Sequence, residues 1–106
     1  MSLVRDAYLQ EIQDKKAQIQ KIVERKFPAY PVEVRGGYDS PETIHIILYC
    51  VEKEKISEVV DQLEDLIEDM ATILEYLMPL SIIKTPEVTQ EYYPEIYEKW
   101  ENNGTR

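Results

Sequence analysis

The acidic residues between positions 61 and 69 are the densest group of side chains in this sequence that could do chemistry. They are Asp61, Glu64, Asp65, Glu68 and Asp69. Carboxylates can bind a metal ion or move protons, but a di-metal site in a helical bundle also needs Glu-x-x-His pairs on neighbouring helices. The only histidine, His45, lies outside the predicted helices. We therefore interpret the five carboxylates as a solvated helix face and predict no metal site.

His45 and Cys50 are the other side chains that could react. Histidine is the commonest general acid or base near neutral pH. His45 lies in the middle of a predicted strand with Arg35 as its expected neighbour, and no matched nucleophile is near it in the sequence. Cys50 precedes Glu52 and Glu54, whereas a reactive thiol needs an electropositive setting. We predict that neither is catalytic and that the protein uses no cofactor.

The segment Gly36-Gly37-Tyr38-Asp39-Ser40-Pro41 is typical of a turn. It lacks the Lys-Ser/Thr of a Walker loop and the spacing of a dinucleotide fingerprint. The order of the elements around it resembles that of small nucleotidyltransferase domains, in which a Gly-Ser motif precedes an Asp-x-Asp pair that holds Mg²⁺. The corresponding positions here are Gly36-Gly37 and Ile44-His45-Ile46, so the metal-binding carboxylates are missing. A degenerate nucleotidyltransferase-like domain is one alternative interpretation.

Two amphipathic helices must position any site. Residues 4–27 contain no Gly or Pro and are rich in helix-favouring residues, and Pro28 ends the predicted helix. Residues 56–77 repeat apolar side chains at three- and four-residue spacing, which predicts a second long helix. Its apolar stripe consists of Ile56, Val59, Val60, Leu63, Leu66, Ile67, Met70, Leu74 and Leu77.

Residues 32–51 alternate with period two around the glycine turn, which predicts a β-hairpin. One face is apolar throughout and should receive the helices. The other face is apolar only near the open end of the hairpin, so we expect another segment to cover that part. The first face carries Val32, Val34, Ile44, Ile46, Leu48 and Cys50, and the second carries Glu33, Arg35, His45, Ile47, Tyr49 and Val51.

The order α-β-β-α-β predicts a two-layer α+β sandwich, with two long helices on one face of a small mixed three-stranded sheet. Pro79 ends the second helix, and Leu80–Lys84 form the third strand, which should lie parallel to the second after a right-handed crossover. Thr85-Pro86 and Pro94 begin a short C-terminal helical tail. No linker appears, so we expect residues 1–106 to form one α+β domain.

Composition restricts the partners. The chain of 106 residues carries a net charge of −9, has one cysteine and contains no apolar run long enough to span a membrane. We therefore expect a cytoplasmic protein that does not bind membranes, and nucleic acid is an unfavourable partner. A KH-like nucleic-acid-binding module is the other alternative, although the Gly-x-x-Gly loop is missing. Its basic strip would be Lys15, Lys16, Lys21, Arg25 and Lys26.

The aromatic tail is the most suggestive functional feature, because large rings with one polar atom favour binding surfaces. The tail either caps the apolar part of its own sheet or contacts another chain. Helices of about 36 Å would also overhang strands of about 26 Å, leaving apolar ends to cover. We therefore expect a non-catalytic protein-interaction module that forms a homodimer. The candidate interaction residues are Ile47, Tyr49, Val51, Tyr92, Tyr93, Tyr97 and Trp100.

Overall fold

The computed structural model describes the backbone of residues 3–37 and 40–103. The described parts form five α-helices, one short 3-10 turn and three strands. Of the predicted glycine turn, Tyr38 and Asp39 lie outside the described residues. The elements are α1 (Leu3–Lys26), β1 (Val32–Gly36), β2 (Thr43–Leu48), the 3-10 turn (Lys53–Lys55), α2 (Ile56–Asp69), α3 (Ala71–Leu74), β3 (Met78–Ile83), α4 (Pro86–Tyr92) and α5 (Pro94–Asn102).

The sheet has the order β1-β2-β3, which confirms the predicted mixed topology. Strands β1 and β2 are antiparallel, with Arg35 opposite His45 as expected. Strands β2 and β3 are parallel, with His45 opposite Leu80. A side chain at Gly37 would place its Cβ only 2.9 Å from Thr43, so the start of the turn requires glycine.

The main core lies between one sheet face and the helices α1, α2 and α3. Ile19 and Val23 of α1 and Leu63 of α2 are completely buried against Ile44 and Ile46 of β2. Each large aliphatic side chain buried in this way contributes about 1.5–3 kcal/mol to folding. The predicted α+β class, with the first two helices on one face of a small mixed three-stranded sheet, is therefore correct.

The second long helix is shorter than predicted. The expected helix over residues 56–77 ends at Asp69, and α3 adds one further turn. Fourteen residues of helix span about 21 Å, which matches the roughly 20 Å of a six-residue strand. This end leaves Glu68 and Asp69 in the last turn, where carboxylates oppose the helix dipole, so the dipole does not account for it. Only α1 therefore overhangs the sheet as predicted.

Strand β3 begins earlier than predicted and contains Pro79. The Met78 N–H donates to the Glu42 carbonyl and the Lys84 N–H to the Leu48 carbonyl. Because N–H groups of successive strand residues point to opposite sides, even-numbered residues face β2 and the nitrogen of Pro79 faces the free edge. Proline is tolerated at such a position since no ladder hydrogen bond is lost.

The free edge of β1 is covered by one side chain of α1. The Gln20 amide donates to the Val32 carbonyl over 2.7 Å and accepts from the Val34 N–H over 2.8 Å. One glutamine thus supplies two of the hydrogen bonds that a neighbouring strand would supply. Lys16 lies beside the next outward residue, Gly36, with its ammonium 3.3 Å from where a Cβ would stand.

Lys15, which the KH-like alternative placed in a basic strip on α1, is buried. Its ammonium donates to the Ile73 carbonyl over 2.8 Å and to the Glu75 carboxylate over 2.5 Å. It also lies 5.6 Å from the centre of the Tyr76 ring. Lys15 therefore ties α1 to the end of α3, where Glu75 has a positive φ of 52°.

We expect Gln20→Ala to lower the free energy of unfolding by about 1–2 kcal/mol, because two hydrogen bonds to a half-buried strand edge are lost. Urea unfolding followed by circular dichroism measures the effect. Gln18→Ala is the matched control, since Gln18 is exposed on the same helix. Equal unfolding midpoints for the two variants would contradict the edge-covering role of Gln20.

Candidate functional site

Helices α4 and α5 cover the second face of the sheet and form a smaller core there. Ile47, Tyr49, Cys50 and Trp100 are buried in this core, and partly buried tail residues pack against it. The tail therefore caps the sheet of its own chain, one of the two outcomes expected from the sequence. The tail residues that pack on this core are Tyr93, Ile96 and Tyr97.

Most of the seven predicted interaction residues are therefore used within the chain. Tyr93 meets Tyr49 edge to face with 5.2 Å between ring centres, and the Trp100 indole N–H donates to the Ala29 carbonyl over 3.1 Å. Trp100 retains only 6% of its exposure. Tyr92 is the exception, with 67% exposed. The structure brings the aromatic tail and the sheet together as predicted, but as a packed interior.

Val51 lies on the opposite side from the prediction. Cys50 has a φ of 63°, which interrupts the alternation of side chains after Tyr49. Cys50 consequently joins the tail core, while Val51 is buried in the helix core. The Thr89 hydroxyl of α4 holds this conformation by accepting the Cys50 N–H over 3.2 Å. A period-two pattern carries no signal for this reversal.

A cleft of about 450 Å³ lies between β1 and α5. Its walls combine apolar side chains such as Tyr30 and Ile96 with the charged groups Glu33, Arg35 and Lys99. The Arg35 guanidinium contacts the Glu33 carboxylate over 3.0 Å, and the Tyr49 hydroxyl donates to Glu33 over 2.6 Å. The polar groups at the centre of the wall are thus already bonded to one another.

These contacts shift three pKa values in the cleft wall. Burial acts to raise the pKa of Glu33, but hydrogen bonds from Arg35 and Tyr49 outweigh it and the pKa is lowered. The pKa of Tyr49 is raised, first by burial and then by its hydrogen bond to Glu33. The hydrogen bond to Glu33 raises the pKa of Arg35. At neutral pH the network therefore consists of the Glu33–Arg35 ion pair and the protonated Tyr49 hydroxyl, which donates a hydrogen bond to Glu33.

Cys50 is fully buried and is a poor nucleophile. Burial raises the pKa of its thiol, the Thr89 hydrogen bond partly offsets this, and the charge of Glu101 adds to it. No group of three or more His, Cys, Asp or Glu residues with metal-binding geometry occurs within residues 3–37 and 40–103. No helix in those ranges is long and apolar enough to cross a membrane.

The basic strip of α1 does not act as one surface. Lys15 is buried and bonded to Glu75, whereas Lys21, Arg25 and Lys26 are exposed. Phosphate binding needs several basic groups that reach solvent together. The strip therefore offers fewer phosphate contacts than the sequence indicated.

An exposed apolar surface lies at the turn end of the domain, away from the tail. Met78 and Leu80, both on β3, are 65% and 51% exposed. The Tyr8 ring stacks on Tyr76 with 5.7 Å between ring centres, and both rings remain partly exposed. We call Tyr8, Tyr76, Met78 and Leu80 the apolar end. The sequence did not point to Met78 and Leu80, because the second helix was predicted to reach Leu77 and Leu80 was predicted only as the start of a short strand.

The apolar end has two parts on opposite sides of the sheet, because Ile82, which shares its face of β3 with Met78 and Leu80, packs on the tail core, whereas Tyr8 belongs to α1. Glu42 contacts both parts. The Tyr8 hydroxyl donates to the Glu42 carboxylate over 2.5 Å, and the Met78 N–H donates to the Glu42 carbonyl over 2.8 Å. Glu42 therefore links the stacked tyrosines to β3. Tyr76 donates its hydroxyl to Glu11, which holds the second ring against α1.

Comparisons of the chain with protein-family models, curated proteins and solved structures gave no match. The two candidate surfaces are therefore distinguished by their own chemistry. The cleft presents polar groups that already bond to each other. The apolar end presents large side chains whose removal from water lowers the free energy, so it is the stronger candidate for binding.

Glu33→Gln should lower the free energy of unfolding at pH 7 by about 0.5–1 kcal/mol, a modest value because both partners are partly exposed. Since the folded-state pKa of Glu33 is lowered, its stabilisation is present above its ordinary value of 4.5 and is lost as the pH falls through the folded value. The difference between the two proteins should therefore shrink from pH 7 to pH 3. Urea unfolding, followed by the fluorescence of Trp100, measures it.

Glu64→Gln is the control for this experiment, because Glu64 is exposed on α2. That substitution should leave the pH dependence of the wild-type protein intact. A stability difference for Glu33→Gln that stays constant across this pH range would show that the carboxylate charge is not responsible.

Proposed function

We propose that this protein is a non-catalytic protein-interaction module that works as a homodimer through its apolar end. The observation that carries the proposal is the exposure of Met78 and Leu80 on one face of the edge strand β3, at the end of the domain that also carries the stacked Tyr8 and Tyr76. Single exposed apolar residues are normal on a protein surface. Two of them on the same face of an edge strand favour a surface that another molecule covers.

The charge of the chain favours a second copy at this place. Each copy carries a net charge of −9, so two copies repel each other over most of their surfaces. The apolar end consists of four uncharged side chains, and Met78 and Leu80 lie on a strand without charged residues. The carboxylates that border the two tyrosines are bonded, Glu42 to Tyr8, Glu11 to Tyr76 and Glu75 to Lys15. Two copies can therefore approach through this end with less repulsion than elsewhere. The acidic face of α2 stays in solvent.

Leu80→Arg should shift the protein from dimer to monomer. Removing one buried leucine from an interface costs about 1.5–3 kcal/mol, which weakens dimerisation by roughly tenfold or more. Sedimentation velocity across a range of protein concentrations measures the change. The wild-type dimer should also strengthen when the salt concentration is raised, because salt screens the repulsion between the two acidic copies.

Tyr92→Arg is the matched control, since it adds the same charge at another exposed apolar residue that lies on the tail. This variant should remain dimeric. A wild-type protein that sediments as a monomer at every concentration would refute the proposal. Equal loss of dimer in both variants would place the interface elsewhere.

A further inference from the structure

We propose that two copies join their β3 strands in antiparallel orientation about a two-fold axis at Ser81, which forms a continuous six-stranded sheet. This inference rests on the proposed homodimer and specifies how it is built. It starts from the edges of the sheet, because β1 and β3 are both edge strands in the order β1-β2-β3. Unpaired edges of this kind readily pair with another strand.

The free edge of β3 presents a defined row of backbone groups. Since even-numbered residues of β3 face β2, the N–H and C=O groups of Ser81 and Ile83 point outward, together with the carbonyl of Pro79. Within residues 3–37 and 40–103, no backbone or side-chain group bonds to the outward N–H of Ser81 or Ile83. These groups are ready to pair with a further strand.

The outward hydrogen-bonding groups are satisfied to different extents at the two edges of the sheet. At β1, Gln20 satisfies the outward carbonyl of Val32 and the outward N–H of Val34. At β3, the described residues provide no comparable cover. The strand is also uncharged from Met78 to Ile83, and edges that must stay single usually carry lysine or another charge. Only Pro79, which lacks an N–H group, limits pairing, and it does so at one end of this edge.

A second copy of the same strand meets the requirements of this edge. Any self-association of a chain with a net charge of −9 requires an uncharged contact, and β3 offers one over six residues. A two-fold axis brings the same surface of each copy together. The exposed side chains Met78 and Leu80 then border the joined strands.

The axis at Ser81 fixes the register. The outward N–H and C=O groups of Ser81 pair with those of the partner's Ser81, giving two hydrogen bonds. The N–H of Ile83 donates to the carbonyl of the partner's Pro79, and the symmetric bond makes four in all. Leu80 then lies beside the partner's Ile82, which removes an apolar side chain from water. Pro79 lacks an N–H, so it serves only as an acceptor.

The substitution Ser81→Cys tests this register directly. Directly opposed residues of an antiparallel hydrogen-bonded pair have Cα atoms about 5.5 Å apart, within the range that a disulfide can bridge. Mild oxidation, or a short bismaleimide, should shift most of the variant to twice the chain mass on a non-reducing gel. Cys50 does not compete, because it is fully buried.

Tyr92→Cys is the matched control, because it places an equally accessible thiol on the tail. It should give much less covalent dimer than Ser81→Cys at the same concentration. Hydrogen exchange of the unmodified protein gives an independent measure. The amides of Ser81 and Ile83 should exchange more slowly as the protein concentration rises.

Two results separate this inference from the proposed function. If the wild-type protein sediments as a dimer while Ser81→Cys cross-links no better than Tyr92→Cys, the β3 pairing is wrong and the homodimer stands. If the wild-type protein is a monomer at every concentration, both are wrong. A dimer with efficient cross-linking at Ser81 and slowed exchange at β3 supports both.

Discussion

A three-stranded sheet has only one strand with both edges paired, so the fold depends on how the hydrogen-bonding groups of the two outer strands are satisfied. Backbone N–H and C=O groups that lose water without gaining a partner cost about 1–3 kcal/mol each. At β1 the chain itself supplies part of the answer, because the Gln20 amide of α1 bonds the Val32 carbonyl and the Val34 N–H. At β3 the outward groups stay open, which makes the two sides of the domain chemically different.

The reversal of side-chain direction at Cys50 contributes to the cores on both faces of the sheet. Ordinary alternation would leave Val51 on the tail side, where Tyr49 and Trp100 already fill the space. The positive φ of Cys50 turns Val51 into the helix core instead and sends Cys50 toward α4. The Thr89 hydroxyl then accepts the Cys50 N–H and donates to the Thr85 carbonyl over 2.7 Å, so no buried polar atom of this corner is left unpaired.

The sequence predicted those features that depend on periodicity. The α1 stripe, the hairpin with Arg35 opposite His45, and the parallel third strand all follow from spacing alone. The tail helices were predicted from capping chemistry, and Thr85 does accept the Val88 N–H. Features that depend on one long-range contact were missed, because no local pattern encodes them. They include the burial of Lys15 by the end of α3 and the contact of Gln20 with the edge of β1.

The candidate interaction surface shows the same limit. Aromatic residues in the tail were expected to bind a partner or to cap the sheet, and composition does not distinguish these uses, since both bury rings. Burial decides the matter only after the chain is folded, and it leaves Met78 and Leu80 exposed while Trp100 is enclosed. The signal that was available lay in charge rather than in hydrophobicity: the strand from Met78 to Ile83 is uncharged in a strongly acidic chain.

The acidic surface and the unpaired edge of β3 together limit how many copies of the protein associate. An uncovered, uncharged strand edge on a neutral protein invites open-ended association, because each added copy would expose a new edge. In this fold Gln20 of α1 occupies the outward Val32 carbonyl and Val34 N–H at the other edge, so a further strand would have to displace it to pair there. Two-fold pairing also uses the same surface on both copies, which ends growth at two. The net charge of −9 on each copy then opposes contact between pairs, while the uncharged β3 keeps that repulsion low within the pair.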